Sequence, residues 1–151
     1  MEDEILKAKK KAMSLLQHMD RTEWELRAKL EKAGFAEEAV EEAIAYVRSF
    51  HYIDDRRYAC RFAEIYRTSR SINRIRQDLQ KKHISDELIT FALEEIEYDD
   101  SQALRKALDK VLPEKDSALS YEEKQKVIAK LYRRGFQVDH IVKQLDIRLE
   151  E

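Results

Sequence analysis

A chain of 151 residues with 40% charged residues, two glycines, one proline and a formal charge of −2 has the composition of a helical protein. It lacks the turn residues that a many-stranded β fold requires. At this length a core forms without a metal or a disulfide, since roughly 68–70% of the unfolded chain's surface is buried on folding, and Cys60 is the one cysteine.

The first predicted helix runs through Ala12, Met13, Leu15 and Leu16 and carries the lysines of KAKKK, residues 7–11. This start has neither the long apolar run nor the small-residue cleavage site of a signal peptide, and no stretch approaches the roughly 18 apolar residues of a membrane span. A soluble, cytoplasmic protein is expected. The second helix opens at TEWE (Thr22 to Glu25), a capping box, and Gly34 with Phe35 suits a left-handed C-terminal cap. A third helix follows through Val40 and Ile44. After HYIDD (51–55), Tyr58, Phe62, Ile65 and Tyr66 mark a fourth amphipathic helix. Ser71 is an N-cap candidate for a helix from about Ile72 to Lys82. His83 and Ile84 stand where the other copies have Gly-Phe, so this turn needs a non-glycine residue in a left-handed conformation. Ser85 caps a helix through Ile89 and Leu93. Beyond EYDD (97–100), Ala103, Leu104, Ala107, Leu108 and Val111 form the next stripe. The longer join PEKDSALS (113–120) leads to a second capping box, SYEE (120–123), then to Val127, Leu131, the Gly135-Phe136 turn, Ile141 and Leu145.

Three segments align without gaps at offsets of 49 and 52 residues: LRAKLEKAGFAEEAVEEAI (26–44), IRQDLQKKHISDELITFAL (75–93) and VIAKLYRRGFQVDHIVKQL (127–145). Their apolar positions coincide at i, i+4 spacing on either side of a break, which reads as helix–turn–helix. With one amphipathic helix before each pair, the expectation is an all-α chain of nine helices in three tandem three-helix repeats, residues 1–53, 54–98 and 99–151. Units this small stack on their neighbours, so one cooperative, elongated body is expected, straight or curved.

Catalytic chemistry is hard to place on this chain. Two isolated glycines make no phosphate loop, and His18, His51, His83, His140 and Cys60 have no metal-ligand spacing. No nucleophile motif is present. Asp54 and Asp55 suggest a metal or acid–base pair, but capping of the helix near Arg56 is the simpler reading. Trp24, Tyr52 and Phe136 fall where packing would place them. No enzyme activity and no cofactor are expected.

The charge is segregated. Between Arg56 and Lys82 nine basic residues face Glu64 and Asp78; residues 86–100 hold seven acids and no Lys or Arg; residues 124–134 hold five basic residues and no acid. Lys81, Lys82, Arg133 and Arg134 lie in last turns, where the helix dipole favours cations by about 0.3–1 kcal/mol each. Arg67, Arg70, Arg74 and Arg76 lie before or within a first turn, where the same dipole disfavours them. At about 100° per residue, Arg74 and Lys81 share the side opposite Ile75 and Leu79, and Lys126 and Arg133 are their equivalents in the third copy; in the first copy these places are Glu25 and Lys32. The pattern points to a surface for phosphates or acidic protein patches. Its candidate residues are Arg67, Arg70, Arg74, Arg76, Lys81, Lys82, Lys126, Lys130, Arg133 and Arg134.

The segment YIDDRRYACRFAEIYRTSRSINRIRQDLQKKHIS (52–85) resembles the signature of the bacterial RecX regulatory proteins: a Tyr–hydrophobic–Asp-Asp start, an aromatic-rich helix, a basic segment, an IRQDL-like helix and a K-G-I-S-like turn. RTEWELRAKL and KVIAKLYRRGF are similar to the flanking copies, and the resemblance runs from about Ala8 to Leu145. Two features depart from the family pattern: SRSIN lacks a glycine, and His83 replaces the glycine of K-G-I-S. The resemblance implies three tandem three-helix repeats and a non-enzymatic regulator, a monomer, that binds the RecA recombinase and restrains its filament on single-stranded DNA. It implies contact through the basic residues named above, with single-stranded DNA touched, if at all, through its phosphates. Two other readings stay open: a helix–turn–helix DNA-binding regulator, and a scaffold for an acidic protein partner.

Overall fold

Apolar residues at helical spacing, punctuated by caps, yield helices throughout. The computed structural model describes residues 1–112 and 119–150, so of the join PEKDSALS only Leu119 and Ser120 fall among the described residues. These residues form nine helices and no strand: α1 (Glu2–His18), α2 (Glu23–Lys32), α3 (Glu37–Ser49), α4 (Asp55–Tyr66), α5 (Ile72–Lys81), α6 (Asp86–Glu95), α7 (Ser101–Val111), α8 (Tyr121–Arg133) and α9 (Val138–Glu150).

The caps are those the sequence predicts. Thr22 with Glu25 and Ser120 with Glu123 form reciprocal capping boxes. Ser71 Oγ accepts from the Arg74 N–H at 3.1 Å, and Ser85 Oγ from the Leu88 N–H at 3.2 Å. Asp54 caps α4 by accepting from the Arg57 N–H at 3.1 Å. Gly34 and Gly135 take φ of 95° and 99°, and His83 holds the equivalent turn at φ 60°. His51 and Glu97 adopt the same left-handed conformation after α3 and α6, at φ 59° and 51°.

Cα packing divides the chain into two compact units, one of Met1–Arg61 with Leu79–Ala92, the other of Phe62–Asp78 with Leu93–Glu151. In the first, α1 packs along α3, and Ala8, Ala12, Leu26, Leu30, Ala43, Ile44 and Val47 form the core. In the second, α7, α8 and α9 enclose Leu104, Leu108, Leu131, Phe136, Ile141 and Leu145. The aligned apolar positions of the three repeats are buried except Phe35, which is half-buried. One stripe differs from expectation. Ile65 is exposed, because α4 buries its small residues Ala59 and Ala63 instead, with Tyr58, Phe62 and Tyr66 on the flanks.

Candidate functional site

One kind of junction, built from short polar side chains, occurs twice. In the first unit the Thr22 hydroxyl, at the start of α2, donates to the Lys82 carbonyl at the end of α5 (3.3 Å), and the Glu23 N–H donates to Asp55 (2.9 Å). In the second, the Ser71 hydroxyl, at the start of α5, donates to the Arg134 carbonyl at the end of α8 (2.7 Å), and the Ile72 N–H donates to Asp100 (2.9 Å). Each joins a positive N-terminus to a negative C-terminus, so the dipoles are aligned and orphan backbone groups are satisfied. Trp24 stacks on His83 at the first junction, with centroids 4.2 Å apart. At the second, Asn73 and Ser71 crowd Gly135 so closely that a Cβ there would meet the Ser71 hydroxyl. Asp54 and Asp55 thus have structural work, one as a cap and the other as a latch.

These junctions decide which basic residues face outward. Arg70 and Arg74 have the local reason that helix position alone denies them: both pair with Asp78, at 2.6 and 3.1 Å. Asp78 follows Arg74 by one turn and offsets its conflict with the dipole. The Arg70 guanidinium also lies 3.6 Å from the centre of the Tyr66 ring, a cation–π contact in a half-buried setting. Arg67 donates to the Ile96 carbonyl after α6, pairs with Glu64 at 3.4 Å and approaches the Tyr98 ring. Tyr98 in turn donates to the Arg70 carbonyl at 2.7 Å, and its phenol is pushed well above its ordinary range by burial and by the charge of Asp100.

Lys82 is held as well. Its ammonium meets Glu25 at 3.2 Å and lies over Tyr58. Burial would lower its pKa, but the bonds to Tyr58 and Glu25 outweigh that and raise it. The Glu25 carboxyl responds in mirror fashion: burial would raise it, yet the Thr22 N–H and Lys82 bring it below the usual range. Arg76 is half-buried. The remaining candidates, Lys81, Lys126, Lys130, Arg133 and Arg134, are exposed, and Arg74 keeps 55% of its side chain in solvent despite Asp78.

Around Arg134 the second unit supplies cations that sequence reasoning missed. Lys106 and Lys110, one turn apart on α7, line a cavity of about 280 Å³ with Arg134, Ser69 and Asp109. Asp109 is engaged by Arg148, so the three cations dominate the opening. Their i, i+4 spacing opposite Leu104 and Leu108 was the available signal. Tyr52, expected to pack, is instead exposed, whereas Phe136 is buried and Trp24 does both, half-exposed against His83. No group of three or more potential metal ligands occurs among the described residues, and none of their helices is long and apolar enough to cross a membrane.

Comparison with known proteins gives a consistent family. Models of the first, second and third three-helix domains of RecX match residues 8–46, 54–93 and 97–145. Regulatory protein RecX of Bacillus licheniformis is 32% identical over 142 residues, covering 92% of this chain and 54% of its own length. That of Clostridium perfringens is 30% identical over 91% of this chain and 66% of its own. The chain therefore spans about half to two thirds of these relatives. Regulatory protein RecX of Haemophilus influenzae is more nearly coextensive, 32% identical over 84% of this chain and 85% of its own. The crystal structure of RecX from Lactobacillus salivarius superposes with a TM-score of 0.82 at 26% identity, covering 97% and 99% of the two chains.

Proposed function

The chain belongs to the RecX family of regulatory proteins, and from that premise we propose that it binds the RecA recombinase on single-stranded DNA and inhibits it, as a non-enzymatic cytoplasmic regulator of recombination and DNA repair. The observation that carries the reading is the exposed cationic surface of the second unit: Lys126, Lys130, Arg133 and Arg134 on and after α8, with Lys106 and Lys110 beside them. A recombinase filament offers repeated phosphates and acidic protein surface, and several weak cationic contacts act together when their spacing fits. Arg67, Arg70 and Lys82 serve chiefly to hold the fold, so the partner surface of the second unit is best sought at Arg74 and the α7–α8 cations. Arg70→Ala with Arg74→Ala would strip both partners from Asp78 and confuse folding with binding; Lys126→Ala with Arg133→Ala does not.

The test is the ATP hydrolysis rate of RecA on single-stranded DNA as this protein is titrated in at two salt concentrations. Substoichiometric inhibition that weakens as salt rises is expected, with the Lys126→Ala, Arg133→Ala variant needing several-fold more protein at unchanged melting temperature. No inhibition at either salt would remove the recombinase reading.

A further inference from the structure

The first unit carries a second cationic surface, and this one also presents rings. Residues 5–19 contain Lys7, Lys9, Lys10, Lys11 and His18 and no carboxylate. The four lysines stand in the middle of α1, away from the last turn where the dipole would favour them. Lys7, Lys10 and Lys11 are exposed, and no ion pair among the described residues takes them up.

Beside Lys9 and Lys10, Tyr46, Phe50 and Tyr52 form a continuous run. Tyr46 and Phe50 meet edge-to-face at 5.1 Å, and Phe50 and Tyr52 stack at 5.7 Å with 22° between planes. They are 36%, 55% and 45% exposed. The core does not require them, since α3 buries Ala39, Val40, Ala43, Ile44 and Val47. The Lys9 ammonium lies 4.8 Å from the centre of the Tyr46 ring, tying the cations to the rings. An open groove of about 460 Å³ runs between α1 and α3, lined by Lys9, Lys10, Met13, Gln17 and Tyr46.

We infer that this surface binds a short stretch of single-stranded nucleic acid, with phosphates on Lys9 and Lys10 and unpaired bases against Phe50 and Tyr52. A cationic track with exposed rings is what single strands need, because each base offers a flat face for stacking and each phosphate a charge. A duplex hides its base faces. An anionic membrane would need a broad apolar face on α1, but Ala8 and Ala12 are buried and Ile5, Met13, Leu15 and Leu16 pack on the core, which leaves Leu6 as the large apolar side chain of α1 exposed beside the lysines. An acidic peptide matches the lysines and leaves the rings without a partner. The site binds nucleic acid with no recombinase present, so it stands or falls independently of the RecA reading.

Fluorescence anisotropy with a labelled 15-nucleotide oligo-dT, the full chain and no recombinase tests it, with far-UV circular dichroism as the fold control. Phe50→Ala is expected to weaken binding roughly 5- to 150-fold, the range carried by one base–ring stack, with the salt slope unchanged. Lys9→Glu with Lys10→Glu is expected to weaken binding and flatten log K against log salt by about 1.4, two single-strand phosphate contacts. An abasic strand of the same length should bind the native chain more weakly than oligo-dT binds Phe50→Ala, because it forgoes the stack on Tyr52 as well, and Phe50→Ala should distinguish the two strands less than the native chain does. Equal affinity of native chain and Phe50→Ala for oligo-dT overturns the inference. So does loss of binding only in Lys126→Ala with Arg133→Ala, or capture by vesicles of anionic phospholipid, but not by oligo-dT, that the Lys9→Glu, Lys10→Glu change abolishes.

Discussion

Asp78 shows why counting charge misleads at the scale of single residues. Nine basic residues in the stretch 56–82 look like surplus, yet one carboxylate, only 12% exposed, takes up both Arg70 and Arg74. The Arg74–Asp78 pair was legible as an i, i+4 spacing; the Arg70–Asp78 pair was not, because it depends on how the chain turns at Ser71. Asp55 has the opposite character. Burial first, and then the charge of Asp54, push its carboxyl up to about 6, while Arg48 opposes them. Its folded pKa therefore lies above the unfolded value near 4, and the folded state binds the extra proton between those two values. The associated stability is present below about pH 4 and is lost as pH rises through 6. Asp55→Asn keeps an oxygen for the Glu23 N–H and removes the buried charge. It is expected to raise Tm at pH 7.5 by on the order of 2–4 °C, the effect of about 1 kcal/mol in a chain of this size. The gain should vanish by pH 4. Thermal melts of the two proteins across pH 4–8 check this, and a gain independent of pH would show that the ionised Asp55 carboxylate is not its source.

Helices were the most legible feature at the scale of elements, because a repeated apolar spacing and a short capping residue are both local. The turns followed for the same reason, including the non-glycine turn at His83, which is sustained by Trp24 stacked on its ring. The junctions were not legible. Thr22 meets the Lys82 carbonyl and Ser71 the Arg134 carbonyl across 60 and 63 residues, and nothing in the sequence near either serine or threonine distinguishes a helix cap from a cap that also docks. The two glycines separate these roles. Gly34 has open space where a methyl would go, whereas at Gly135 the methyl would meet Ser71 Oγ. Gly34→Ala should therefore cost only the backbone penalty of a positive φ, about 1–2 kcal/mol. Gly135→Ala should cost more, because the Ser71–Arg134 bond must also yield. Urea denaturation of the two variants measures the difference, and equal costs would mean that the second junction contributes nothing to stability.

Across the whole molecule, three repeats in sequence become two compact units in space, and the middle repeat is what is divided. Each of α4, α5 and α6 has residues in both units. Neither unit can unravel completely without breaking helices that the other also uses, and helices of 10 to 12 residues are marginal once their packing is lost. We therefore expect one unfolding transition, not two, although repeat chains often lose cooperativity as they lengthen. The chain supplies its own pair of probes. Trp24, the single tryptophan, stacks on His83 in the first unit, so its fluorescence follows that unit, while far-UV circular dichroism follows all the helices together. In a urea titration the two signals should trace one curve with the same midpoint. If Trp24 changes at a separate urea concentration from the bulk of the helical signal, the shared helices do not couple the units, and the middle repeat is a joint where the chain comes apart.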